Sequence, residues 1–240
     1  MSIFRRNNLV LLLAANLTMS LLVAAAGNEN VSGKGIVVQG DVVVFFAEVR
    51  DCGSEISSAQ VFVSSDGGKS WQKRGPSLEG SEFDFFHPAA NGLWLAGIHI
   101  AEGPGIDPFI WIPGEKPYEW VQSTIYEGPA SLEDIARLPD GSLLAWVRHI
   151  DIHRPEWPGA LYVHRSVDSG RSWKVSAPGK PMSRNSGTKF RRIGTHSKNW
   201  RFVDGTNGVS IQHRKDNNGG WEDVSQISPQ ECGNQQEKRN

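Results

Sequence analysis

His149, Asp151 and His153 alternate with Ile150 and Ile152, and in an extended segment that spacing puts the three polar groups on one side. Two imidazoles and a carboxylate are ligands for Zn²⁺ or another divalent metal, and an edge strand with a polar outer face gives the same pattern. No fourth ligand is visible, and no cofactor is expected. Arg148 and Arg154 beside Trp157 point to other chemistry, the guanidinium gripping an anionic group and the indole stacking on a sugar ring. Solvated loop arginines are the plain alternative. His99, Glu102 and Asp151 join them as candidate ligand contacts. A glycosidase needs a nucleophile and an acid on either side of one bond, and Glu102 or Asp107 with Asp151 or Glu156 could supply them. Gly68-Lys69-Ser70 lacks the earlier glycine of a phosphate loop, Val63 standing in its place. There is no Gly-x-Ser-x-Gly elbow, His-Glu-x-x-His helix or Cys-x-x-Cys pair.

The elements that position these residues come from a repeat. Ser64-Ser65-Asp66-Gly67-Gly68-Lys69-Ser70-Trp71 and Ser166-Val167-Asp168-Ser169-Gly170-Arg171-Ser172-Trp173 both read S-x-D-x-G-x-S-W. Worn copies end at Trp120 and, with Asp216, at Trp221, so the tryptophans step by 49, 53 and 48 residues. Gly40-Asp41, Asn91-Gly92 and Asp140-Gly141 keep the same period, each opening a hydrophobic run of strand length, and no segment keeps a helical period. The unit is a meander of about four short strands, repeated four times, over roughly 33–77, 82–125, 131–178 and 186–226. In the last unit, Lys189–Ile193 and Asn199–Val203 compete for the second strand. Within the octapeptides, Asp66 and Asp168 read as structural pins: a carboxylate binds the N–H groups of a tight turn, Gly68 and Gly170 relieve positive φ, and Ser64 and Ser166 bond the loop. Trp71 and Trp173 then pack between sheets.

S-x-D-x-G-x-[ST]-W is similar to the Asp-box, or bacterial neuraminidase repeat, of sialidases and other β-propellers. The resemblance covers about four fifths of the chain and implies an all-β fold, a propeller of about four four-stranded antiparallel blades with Asp-box turns. Sialidases have six blades, so four-bladed closure, an incomplete ring and self-association that completes it stay open. Leu132-Glu133-Asp134 through Leu138-Pro139-Asp140-Gly141 to Arg148 resembles the family's active-site segment, which implies that Glu133 polarises a nucleophilic tyrosine and that Arg148 grips a substrate carboxylate. The other arginines of that grip and the late tyrosine motif are missing. Phe86-His87-Pro88-Ala89-Ala90-Asn91-Gly92 and Phe202-Val203-Asp204-Gly205-Thr206-Asn207-Gly208 resemble the repeat of photosystem II assembly factors, whose propellers are non-catalytic protein-binding scaffolds. The expectation is a glycan- or protein-binding propeller, with a diverged sialidase-like hydrolase as the alternative. Its ligand face is the one opposite the boxes, where the loops between second and third strands lie.

The chain has 240 residues, 25 Lys and Arg against 26 Asp and Glu, and 38% hydrophobic residues, a composition that calls for no nucleic acid. Arg5 and Arg6 precede an apolar run from Leu9 to Ala26 that ends in Ala24-Ala25-Ala26, the pattern of a secretory signal over 1–26. A secreted or periplasmic protein of 27–240, with a tail from 227 and no membrane span after cleavage, is expected, a retained N-terminal anchor being the alternative. An oxidising compartment allows Cys52 and Cys232 to pair, a closure worth roughly 5 kcal/mol in the chain-entropy account. Two free thiols are the alternative.

Overall fold

A computed structural model describes residues 30–50, 56–100, 106–150, 153, 159–175 and 187–228, so the segment 1–26 and both cysteines lie outside the described residues. The described residues are all-β, with no helix and four antiparallel sheets. The first sheet is the meander β1 (Asn30–Gln39), β2 (Val42–Arg50), β3 (Ser57–Ser64) and β4 (Gln72–Glu79). The second is β5 (Ser81–Ala89), β6 (Gly92–Ile100), β7 (Ile106–Pro113) and β8 (Trp120–Thr124), and the third is β9 (Ala130–Arg137), β10 (Leu143–His149), β11 (Leu161–Ser166) and β12 (Lys174–Val175). After β13 (Thr188–Lys189) and β14 (Arg191–Arg192) comes the fourth, β15 (His196–Ser197), β16 (Trp200–Gly205), β17 (Gly208–His213) and β18 (Glu222–Ile227).

The second strands of the first three sheets are apolar at almost every position because both of their faces are covered. Val43, Phe45 and Ala47 of β2 join a core with Trp200, Val209 and Ile211 of the fourth sheet. Val44 and Phe46 turn the other way, toward Leu93, Leu95 and Trp111 of the second sheet. Trp94 and Ala96 in turn meet Ile135, Leu143 and Ala145 of the third. Leu144, Trp146 and Val163 are buried in a fourth cluster drawn from the third sheet alone. The fourth sheet alternates instead: behind Val209 and Ile211, Gln212 and Ser210 donate to Asp223, and Arg201 donates to Gln212 Oε1 at 2.7 Å.

The two intact octapeptides fold into the same turn. Ser64 Oγ donates to Asp66 Oδ1 (2.8 Å) and accepts the Gly68 N–H (2.8 Å), while the Ser70 hydroxyl and N–H donate to the two Asp66 oxygens at 2.6 and 3.0 Å. Ser166, Asp168, Gly170 and Ser172 repeat these bonds at 2.7, 2.7, 2.9 and 2.6 Å. These bonds hold both carboxyls well below the usual range. At φ +80° a Cβ on Gly68 would come within 2.7 Å of the Trp200 ring, so that turn abuts the neighbouring sheet. Trp71 packs edge-on to Phe45 at 6.2 Å, and Trp173 packs against the core between sheets two and three. The last copy differs, because no serine hydroxyl among the described residues reaches Asp216. Its carboxylate accepts the Asn218 N–H, and the Trp221 ring lies within 4.4 Å of the Arg201 and 4.7 Å of the Arg214 guanidinium.

The competition in the last unit resolves by partner. Residues 199–203 enter the fourth sheet through β16, whereas 188–194 run across the free edges of the first strands of the other three. β13 pairs with β9, β14 pairs with β5, and Ile36 donates its N–H to Gly194 O at 3.0 Å. Along this strap Phe190 is buried in one core and stacks on His87 at 5.0 Å, while Arg191 and Arg192 lie over Phe86 and Phe85 at 4.6 and 4.7 Å. Exposed strand edges are thereby capped.

Candidate functional site

Each of the first three sheets has a bulge at one place in its first strand, and each bulge presents a charge. Gly33 pairs with Ala47 and Gly35 with Phe46, which leaves Lys34 as the extra residue. By the same shift Asp84 is extra between Phe83 and Phe85, and Glu133 between Leu132 and Asp134. A bulge re-aims a side chain that the strand alternation would otherwise have placed. Lys34 reaches Glu48 on β2, and Glu133 reaches Arg148 on β10 at 2.8 Å, with about 31% of each of these two side chains exposed. In the second sheet the residue at that position is Ile98. Asp84 accordingly has no ion pair or side-chain hydrogen bond among the described residues.

Lys34 and Asp84 face a cavity of about 640 Å³ between the first and second sheets. It lies at the end opposite the octapeptide turns, where Ile56 precedes β3, Ser57 begins it, His99 stands next to last in β6 and Glu79–Ser81 joins the two sheets. Four carboxylates line it, Glu48, Glu79, Glu82 and Asp84, against the cations Lys34 and Arg192. Phe46, Phe83 and Ile193 form its apolar wall. The strap closes its inner side, with Ile193 donating its N–H to Asp84 O at 2.8 Å. Ser81 Oγ and His99 Nδ1 share a hydrogen bond of 2.7 Å across β5 and β6.

The carboxyls of this cavity differ in proton affinity. Burial pushes the Asp84 carboxyl up, opposed by the Arg192 charge and reinforced by Glu82. The Glu48 carboxyl is held down by its hydrogen bonds with Lys34 and Ser57, and Lys34 is raised in return. The two carboxyls are thus shifted in opposite directions within one concavity.

Of the residues picked out in the sequence, His99 lies on the cavity. Arg148 does not line it, and its guanidinium is engaged by Glu133 and by Gly159 O at 2.9 Å. β10 ends at His149, Ile150 donates its N–H to Pro129 O, and His153 lies in a turn. His149 stacks between Tyr126 at 3.9 Å and Tyr162 at 4.2 Å, and its Nε2 is 3.2 Å from Nε2 of His164. Burial lowers both imidazoles, His164 to about 4 with His149 adding to the effect. Glu102, Asp151, Arg154 and Trp157 lie outside the described residues.

Sequence reasoning missed Lys34, Asp84, His164 and Arg192. The legible signal for Asp84 was an acid inside the aromatic run Phe83-Asp84-Phe85-Phe86, and for Arg192 a basic pair inside an otherwise strand-like stretch. Among the described residues no helix is long and apolar enough to cross a membrane, and no group of three or more His, Cys, Asp and Glu is placed to hold a metal ion. Compared with known proteins, the chain matches no family model, and no curated sequence is similar to it.

Proposed function

We propose that the chain is an exported Asp-box β-propeller of four blades that binds a glycan without hydrolysing it, in the cavity between its first two blades. The observation that carries this reading is the cavity, whose size falls in the range of small-molecule sites, ~300–1,000 Å³. Its carboxylates accept bonds from sugar hydroxyls, Lys34 and Arg192 donate, and the wall of Phe46, Phe83 and Ile193 suits the apolar face of a ring. Four carboxylates against two cations favour a neutral or amino sugar over a sialoside. Four four-stranded meanders and two identically bonded octapeptide turns support the propeller, and the segment 1–26 supports export.

A second reading rests on the opposite shifts of Asp84 and Glu48, since glycoside hydrolases set their acid and their carboxylate in environments that push the two apart. The test is a glycan array of neutral, amino and sialylated sugars, run beside a fluorogenic glycoside panel, on wild type and Asp84→Asn. Binding of neutral or amino sugars that weakens in Asp84→Asn, without turnover, is the expected result. Turnover lost in the variant establishes the hydrolase instead, and silence in both assays removes the glycan reading in favour of a protein ligand.

A further inference from the structure

The imidazole pair of the third sheet, one ring from β10 and one from β11, carries an inference independent of the cavity. His149 Nε2 and His164 Nε2 are 3.2 Å apart. Two zinc–nitrogen bonds of ~2.0–2.1 Å at a tetrahedral angle separate their nitrogens by about 3.3 Å. The two nitrogens thus stand at the separation that chelation of one ion requires.

We propose that His149 and His164 chelate a divalent transition ion of the Zn²⁺ or Cu²⁺ class through their Nε2 atoms. Each ring has a second nitrogen, Nδ1, that can carry the proton and leave Nε2 its lone pair. Without metal one Nε2–H donates to the other Nε2. On binding, the donor ring keeps its charge by carrying its proton on Nδ1, so each Nε2 gives one lone pair to the ion and no proton is released. Tyr126 and Tyr162 clamp His149 from its two faces and leave the ring edge as the coordinating side. His164 is buried and His149 is partly exposed, which gives the ion a path from solvent. Among the described residues no third ligand of the usual types joins them.

The experiment is calorimetric titration of the untagged chain with ZnCl₂ and with CuCl₂, backed by ¹⁵N spectra of its histidine rings. One saturable ion per chain is expected, with the Nε2 resonances of His149 and His164 shifting together. His149→Gln and His164→Gln should each weaken binding by roughly tenfold or more, about 1.4 kcal/mol, and His196→Gln should leave it unchanged. If His164→Gln does not fold, the wild-type spectra and His149→Gln decide the matter. Absence of saturable binding, shifts confined to other histidines, or an equal loss in His196→Gln overturns the proposal.

Discussion

Asp84 occupies in the second sheet the place that Lys34 occupies in the first, the extra residue of a bulge in the first strand. Lys34 finds Glu48 across the bulge, whereas Asp84 faces the Ile98 position and keeps a carboxyl that burial pushes upward.

Asp84 therefore favours the folded state while it carries its proton. Its contribution is fullest below the ordinary value of 3.8 and is lost as pH rises through the raised folded value. Asp84→Asn should be more stable than wild type at pH 7, with the gap closing toward pH 3. Denaturant melts at the two pH values check this, and a variant less stable at pH 7 would show that the carboxylate has a partner.

Glu133 and Arg148 repeat the Lys34 and Glu48 pair with the charges reversed. Both side chains are about a third exposed, so solvent screens the pair. Arg148→Ala should cost no more than about 1 kcal/mol and leave sugar binding intact. Loss of binding in that variant would move the site to the third sheet.

Asp66 and Asp168 titrate well below an ordinary carboxyl because the serine hydroxyls and N–H groups around them bond the charged form, Ser70 and Ser172 first. A depressed folded value stabilises above the unfolded value of 3.8, and that stability is lost as pH falls below it. The double variant Asp66→Asn, Asp168→Asn should melt lower at neutral pH and show a flatter acid transition. An unchanged acid profile contradicts this account.

Trp71 donates its indole N–H to Ser225 Oγ at 2.8 Å, and Ser225 Oγ donates onward to Gly68 O, so one relay ties the turn to the fourth sheet. Ser225→Ala should cost about 1 kcal/mol, as loss of a hydrogen bond does. Trp71→Ala and Trp173→Ala should each cost about 2–3 kcal/mol, less than a fully buried indole because both rings are only partly buried. Wild-type-like melting of the two Trp variants would falsify the packing role.

Trp111 is fully buried, and its indole N–H finds no acceptor among the described residues, whereas Trp120 donates to Leu93 O at 2.7 Å. An unsatisfied buried donor is costly, so Trp111→Phe recovers part of what it loses in packing. It should destabilise less than Trp120→Phe in thermal melts, despite the deeper burial. The reverse order would mean that the Trp111 N–H is bonded.

The strands were legible where pattern and burial coincide. The continuous apolar runs of β2, β6 and β10 and the positive-φ turns at Gly40, Gly92 and Gly141 mark them directly. The fate of 188–194 was not legible, because two-residue strands that pair with segments some fifty to a hundred positions away leave no local period. The bulges were hidden for a related reason: a charge in a strand reads as a solvent-facing position until the register shows Lys34, Asp84 and Glu133 to be insertions. His164 was passed over because it sits in an ordinary alternating strand, and only the fold brings its ring to His149.

The strap has a temporal meaning as well. On the ribosome, β5 and β9 are complete long before Arg191 and Lys189 exist, so a nascent chain carries two unpaired strand edges while the last quarter is translated. A chain cut short before 188 would leave those edges bare, a template for sticking to its own copies. The late arrival of these seven residues thus ends the interval in which those edges stand bare.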